Sequence, residues 1–119
     1  MHFFDSYALI EIVKGNVVYE KYKSENPTCS ILNLFELHQA LLRECNKQTA
    51  DYWVNKFDYT LIEITKADII KASDFRFAHQ NKRLSMVDCI GYMLALKIGL
   101  KFLTGDSGFK DIEHVEFVA

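Results

Sequence analysis

Two periodicities alternate along this chain. His2 to Phe4 is a short, mainly apolar run that stops at Asp5, and Ser6 stands where an N-cap belongs, ahead of a helix over Tyr7 to Val13. Gly15 and Asn16 break that helix, and Val17 to Lys23 reads as a second short helix before the Asn26-Pro27 stop. Thr28 to Ser30 fits a very short strand, followed by a strongly apolar helix over Ile31 to Arg43 and another helical stretch over Ala50 to Lys56 opened by Thr49. Tyr59 to Ile64 is rich in β-branched and aromatic residues, so it is expected as a third strand. Ala67 to Gln80 returns to helical spacing, with Ile70 and Phe77 expected on its buried side. Ser85 opens a helix that is apolar nearly all round from Met86 to Ile98 and ends at Gly99. Lys101 to Leu103 and Val115 to Val118 complete five strands.

Strands alternating with helices imply right-handed crossovers and a mostly parallel sheet. The expected fold class is therefore α/β, a three-layer α/β/α sandwich with a five-stranded sheet. One proline, five glycines and no repeat leave no linker, so residues 1–119 are expected to form a single domain.

Composition narrows the function classes. Half of the 119 residues are hydrophobic and a quarter charged, which excludes a largely disordered chain. Fourteen Lys and Arg against sixteen Asp and Glu leave a net charge of -2, too acidic for coating nucleic acid by bulk attraction. Cys29, Cys45 and Cys89 form no CxxC or zinc-finger spacing, so reduced thiols in the cytoplasm are expected. The first residues lack a basic signal-peptide region, and the longest apolar stretch, MVDCIGYMLALKIGLKFL, is cut by Asp88 and two lysines, so no membrane association is expected.

In a parallel sheet the connecting helices begin at the C-terminal edge, where ligands bind. Asp5 follows the first strand and Asp106 the fourth. Glu36 lies in the early turns of the helix after the second strand, and Asp88 in the first turn of the helix before the fourth. All four carboxylates could converge at one edge, each interrupting apolar neighbours. Burying like charges together is costly unless a cation compensates, and an all-oxygen set suits Mg²⁺ or Mn²⁺ better than Zn²⁺. Taken singly, each acid has a plainer reading. Asp5 could cap the first helix, Ser85-x-x-Asp88 resembles a capping box, Glu36 could be a solvated helix charge, and Asp106 suits a turn.

Four segments carry a family resemblance: FFDSYALIEI, LNLFELHQAL, LSMVDCIGYMLALKIGLKFLTGDSGF and the closing VEFV. Together they resemble the PIN-domain family, metal-dependent ribonucleases that include the VapC toxins of toxin-antitoxin pairs. The resemblance implies that Asp5, Glu36, Asp88 and Asp106 are the acidic quartet that binds metal and serves catalysis. It also implies that Ser6 and Thr104 are hydroxyl residues orienting carboxylates or water. Many relatives place a further acid where this chain has Gly108, a departure that Asp111 could offset. The implied activity is an Mg²⁺- or Mn²⁺-dependent endoribonuclease acting on single-stranded or looped RNA, with an antitoxin protein as partner and a homodimer as assembly.

Arg76, Lys82 and Arg83, with His79, cluster before Asp88 among Phe75 and Phe77. They read either as a solvated helix end or as RNA phosphate contacts beside the groove. His38 and His114 read as surface residues. The aromatic residues Tyr7, Tyr19, Tyr22 and Trp53 suit a core or a partner surface, with Tyr19 and Tyr22 flanking an edge for an antitoxin or second subunit. Two other function classes fit the same pattern. One is a PIN-fold nucleic-acid or protein binding module with little hydrolysis. The other is a phosphoacceptor receiver domain, which wants an Asp after the third strand, where this chain has Ile64-Thr65-Lys66.

Overall fold

A computed structural model describes all residues 1–119. Five strands, β1 (His2–Phe4), β2 (Thr28–Cys29), β3 (Thr60–Leu61), β4 (Lys101–Thr104) and β5 (Val115–Phe117), form one sheet in the order β3-β2-β1-β4-β5. Every pairing is parallel. The helices are α1 (Ser6–Val13), α2 (Ile31–Glu44), α3 (Lys47–Lys56), α4 (Lys66–Ala78) and α5 (Met86–Ile98), with 3-10 turns at Val17–Tyr22, Gln80–Lys82 and Ser107–Phe109. The architecture is the three-layer α/β/α sandwich that the alternation predicts.

Strand order reverses at β1. The chain leaves it toward β2 and β3, then returns to its other side with β4, which opens a crevice at the C-terminal ends of β1 and β4. His2, Phe3 and Phe4 pair with Lys101, Phe102 and Leu103, so the next residues, Asp5 and Thr104, emerge side by side at that crevice. Phe3, Phe4, Phe102, Leu103 and Phe109 are wholly buried and anchor the core beneath it. A side chain at Gly91 would press on the rings of Phe3 and Phe102, so glycine lets α5 lie close against the sheet.

Several local expectations change in the folded chain. Ser6 is not the cap of α1. Asp5 holds that position, its carboxylate accepting from the Ser6 N–H, which leaves the serine hydroxyl for another partner. The third strand shrinks to Thr60–Leu61 because it is an edge strand whose one neighbour, β2, is itself two residues long. Helix α3 starts earlier than Thr49, at Lys47, because the Asn46 side chain caps it by accepting from Thr49 N–H. On α4 the buried face is Asp68, Ala72 and, in part, Phe75. Ile70 and Phe77 lie about half a turn away and are 63% and 75% exposed, the reverse of the expected orientation. Tyr19 and Tyr22 do not face a partner. Both are buried, with the Tyr19 hydroxyl donating to the Val118 carbonyl (2.6 Å) and Tyr22 bonded to Glu116, where they tie the closing segment down.

Candidate active site

Asp5 is 1% exposed at the end of β1. One carboxylate oxygen accepts from the Ser6 N–H at 2.8 Å, and the other accepts from the Thr104 hydroxyl at 2.6 Å. Burial pushes its carboxyl well above the usual range, and the charge of Asp88 adds to the rise. The Thr104 and Ser6 bonds pull against it, and Glu36 raises it further.

Asp88 is held by the capping box that opens α5. Its Oδ2 accepts from the Ser85 N–H (3.0 Å), while its own N–H donates to the Ser85 hydroxyl (3.0 Å). Burial raises its carboxyl. The Ser85 bonds oppose that, and Asp106 and Glu36 repel it upward. Asp106 caps the turn Ser107–Phe109, its Oδ1 accepting from the Gly108 N–H (2.9 Å), and its backbone N–H donates to the Thr104 hydroxyl (3.1 Å). Thr104 thus joins two of the four acids through one oxygen. Glu36, half-buried in the second turn of α2, makes no hydrogen bond to the protein.

The four acids predicted to converge do so. All line one open cleft of about 470 Å³, with Tyr7, Phe35 and Arg43 at its sides. Capping occupies one oxygen each of Asp88 and Asp106, leaving the other without a protein donor, so capping and ligand binding are compatible. None of the four forms an ion pair with Lys, Arg or His. The site is therefore a cluster of repelling carboxylates with no protein cation paired to any of them, Arg43 standing at the cleft's side without an ion pair. That donor chemistry fits a hard divalent ion with oxygen ligands. As the side chains stand, no three His, Cys, Asp or Glu residues enclose a single point tightly enough to ligate a metal, so binding one requires the carboxylates to draw together.

Sequence reasoning missed Asn33. It is fully buried one turn before Glu36. Its Oδ1 accepts from the Ser30 N–H (2.9 Å) and hydroxyl (3.0 Å), and its Nδ2 donates to the Ser6 hydroxyl at 2.9 Å. This chain of bonds locks the start of α2 to the start of α1 and leaves the Ser6 hydroxyl proton free at the cleft wall. The available signal was Ser30-x-x-Asn33, a polar pair at capping spacing just ahead of an apolar helix.

Elsewhere the expectations divide. Gly108 contributes its N–H to Asp106, and a side chain there would press on Leu84. Asp111 is exposed and does not line the cleft. Arg76 donates from Nε to the Leu84 carbonyl (2.9 Å) and lines a second cavity with Arg83, which Lys82 does not enter. His38 bonds Asp51 (2.7 Å), and His114 lies in an exposed turn with φ 63°. Trp53 packs edge-on or tilted against Tyr52 and Phe57 on α3, within the chain's own apolar contacts. No helix is long and apolar enough to cross a membrane.

Comparisons with known proteins bear on the fold and the family. A chain in a solved structure, a toxin-antitoxin complex from Klebsiella pneumoniae, is similar over 98% of this chain and 96% of its own length, with 18% identity and a TM-score of 0.75. At that identity the likeness is one of fold. No curated protein matches in sequence. The sequence pattern of the PIN domain family matches residues 3–115, a span that contains all four acids, Thr104 and Asn33. The chain therefore belongs to the PIN domain family, whose members are generally nucleases that use divalent metal ions.

Proposed function

We propose that residues 1–119 are one nuclease unit, an Mg²⁺- or Mn²⁺-dependent endoribonuclease that is the toxin half of a toxin-antitoxin pair. The observation that carries this reading is the uncompensated quartet, with Asp5 and Asp88 both held above the usual carboxyl range by burial and then by the charge of neighbouring acids of the quartet. Asp5, Glu36, Asp88 and Asp106 would hold the metal. A bound divalent ion supplies positive charge for the phosphodiester and lowers the pKa of water toward neutrality.

The chain's own residues set that chemistry up. Thr104 and the Ser6 N–H orient Asp5, the Ser85 box orients Asp88, and the Gly108 N–H orients Asp106. The Ser6 hydroxyl, turned by Asn33, has its proton available to a water or phosphate oxygen in the cleft. Hydrolysis of this kind needs no side-chain nucleophile, which accords with buried Cys29 and Cys89 thiols, both pushed up by burial, to about 12 and about 11.

An antitoxin partner is supported by the complex in which the similar chain was solved and by exposed Phe35 (66%) and Ile31 (58%), which lead from the sheet edge into the cleft. We place the protein in the cytoplasm as a homodimer on the same reading. The test is cleavage of a panel of structured and single-stranded RNAs with and without EDTA, for the native chain, Asp5→Asn and Asp88→Asn. Metal-dependent cleavage lost in both variants is expected, and undiminished cleavage in either overturns the assignment. The open spacing of the acids favours one second reading, a binding module with little hydrolysis. Calorimetric titration with Mn²⁺ separates the two, since saturable binding is expected of the nuclease alone.

A further inference from the structure

Beside the acidic cleft lies a cavity of about 330 Å³ that the four acids do not enter, lined by Ser73, Arg76, Phe77, Gln80, Arg83 and Leu84. Its volume is at the small end of the about 300–1,000 Å³ typical of ligand sites. We propose that it is a subsite for one nucleotide of single-stranded RNA flanking the bond to be cut. The inference rests on the nuclease reading and adds to it where the strand runs and what holds it.

Three observations carry the assignment. First, neither guanidinium has an acidic partner. Arg76 is pinned by its Nε–H to the Leu84 carbonyl, so its two terminal amino groups stay unbonded and preset for an anion. Second, Arg83 occupies the left-handed backbone region (φ 56°, ψ 36°), which costs a residue with a side chain about 1–2 kcal/mol. That conformation ends the Gln80–Lys82 turn and sets Arg83 on the cavity wall beside Arg76. Third, Phe77 is 75% exposed on the same wall, an aromatic ring the core does not use. A phosphate on two guanidiniums, a base on an aromatic face and the Gln80 amide at its edge are the elements of single-strand recognition. A duplex buries its base faces and cannot use the ring.

The cavity is coupled to the cleft through one residue. Leu84 lines the cavity and accepts from Arg76, and its side chain packs at Gly108 in the turn capped by Asp106. The next residue, Ser85, lines the cleft and holds Asp88. A strand with its reacting phosphate at the acids thus has its neighbouring nucleotide at Arg76, Phe77 and Arg83.

The test is fluorescence anisotropy of a labelled eight-nucleotide single-stranded RNA, in EDTA, on the Asp88→Asn chain so that cleavage does not intrude. Phe77→Ala is expected to weaken binding about 5- to 150-fold, with rescue by Phe77→Trp and no effect on an abasic oligomer. Arg76→Gln with Arg83→Gln is expected to reduce the slope of log Kd against log salt by about 0.7, one phosphate's worth for a single strand. Lys56→Gln with Lys101→Gln removes as much charge elsewhere and is expected to leave the slope nearer native. Exposed Phe77 and Arg83 put folding at little risk, so Arg83→Gln alone serves if Arg76→Gln unfolds. Native-like affinity in the Phe77 and arginine variants, an equal loss in the lysine control, tighter binding of duplex than single strand, or no binding by the parent chain each overturns the subsite. The nuclease reading stands or falls separately, on cleavage by the Asp5 and Asp88 variants.

Discussion

Replacing Thr104 by valine removes one hydroxyl and almost no volume, which makes it the sharpest probe of the site. Thr104 gives Asp5 one of its two hydrogen bonds, at 2.6 Å, in a place where the carboxylate is 1% exposed and water cannot substitute. A hydrogen bond to a charged group contributes about 1.5–3 kcal/mol. An unfolding entropy of about 2.1 cal/mol/K per residue makes 1 kcal/mol equivalent to about 4 °C for a chain of this length. Once the pH is high enough for Asp5 to be ionised, thermal unfolding followed by circular dichroism without metal is therefore expected to show a Tm about 6–12 °C lower. In an Asp5→Asn background the same change removes a neutral bond to residue 5 of about 0.5–1.5 kcal/mol, hence about 2–6 °C from that bond, while the Asp106 N–H loses its Thr104 acceptor in both backgrounds. The hydroxyl favours the ionised form of Asp5, so the loss is largest above the raised pKa of that carboxyl and shrinks as pH falls through it. A Tm within 1 °C of native, or the same loss in both backgrounds, refutes the argument.

Three further outcomes follow from the same geometry. Asp5 and Asp88 are both raised, so their contribution to metal-free stability is full at low pH and lost as pH rises through their folded values. Mn²⁺ at about 100 times its Kd should then add about 2.7 kcal/mol at pH 8, less at pH 5.5, and nothing measurable in Asp88→Asn, all read as Tm. Gly105→Ala places a methyl group against the Tyr7 ring and the Val118 carbonyl, so a loss of about 1–3 kcal/mol by urea unfolding is expected, whereas unchanged stability would show that the closing segment gives way freely. Asn33→Ala orphans Ser30 and releases the Ser6 hydroxyl, and is expected to cost about 1–3 kcal/mol and to slow cleavage; native stability and rate together would remove Asn33 from the site.

Asp88 and Asp106 show how far linear reading reaches. The expectation that both sit at one edge needed only the strand and helix boundaries near them, and those are sharply marked by Ser85, Gly99 and Gly105. Asn33 was not legible, because its partner Ser6 is 27 residues away and the bond exists only once α1 and α2 pack. Ile70 and Phe77 were misplaced for a related reason. On α4 the apolar residues do not form one stripe, and the buried face is chosen by α5, where Lys97 pairs with Asp68 at 2.8 Å and draws that face inward. The exposed Phe77 that results lines the second cavity.

By itself the sequence determined the alternation of strand and helix, the places where acids interrupt apolar runs, and a charge balance that hides a positive surplus of two once the four acids are set aside. Those are local properties, set by side-chain period, capping and composition. Only the tertiary structure decided which hydroxyl serves which carboxylate, how deeply Asp5 is buried, and which cations stay unpaired beside the cleft. Each of these depends on strand register and helix docking, where groups distant along the chain come within hydrogen-bonding reach and water is excluded from between them.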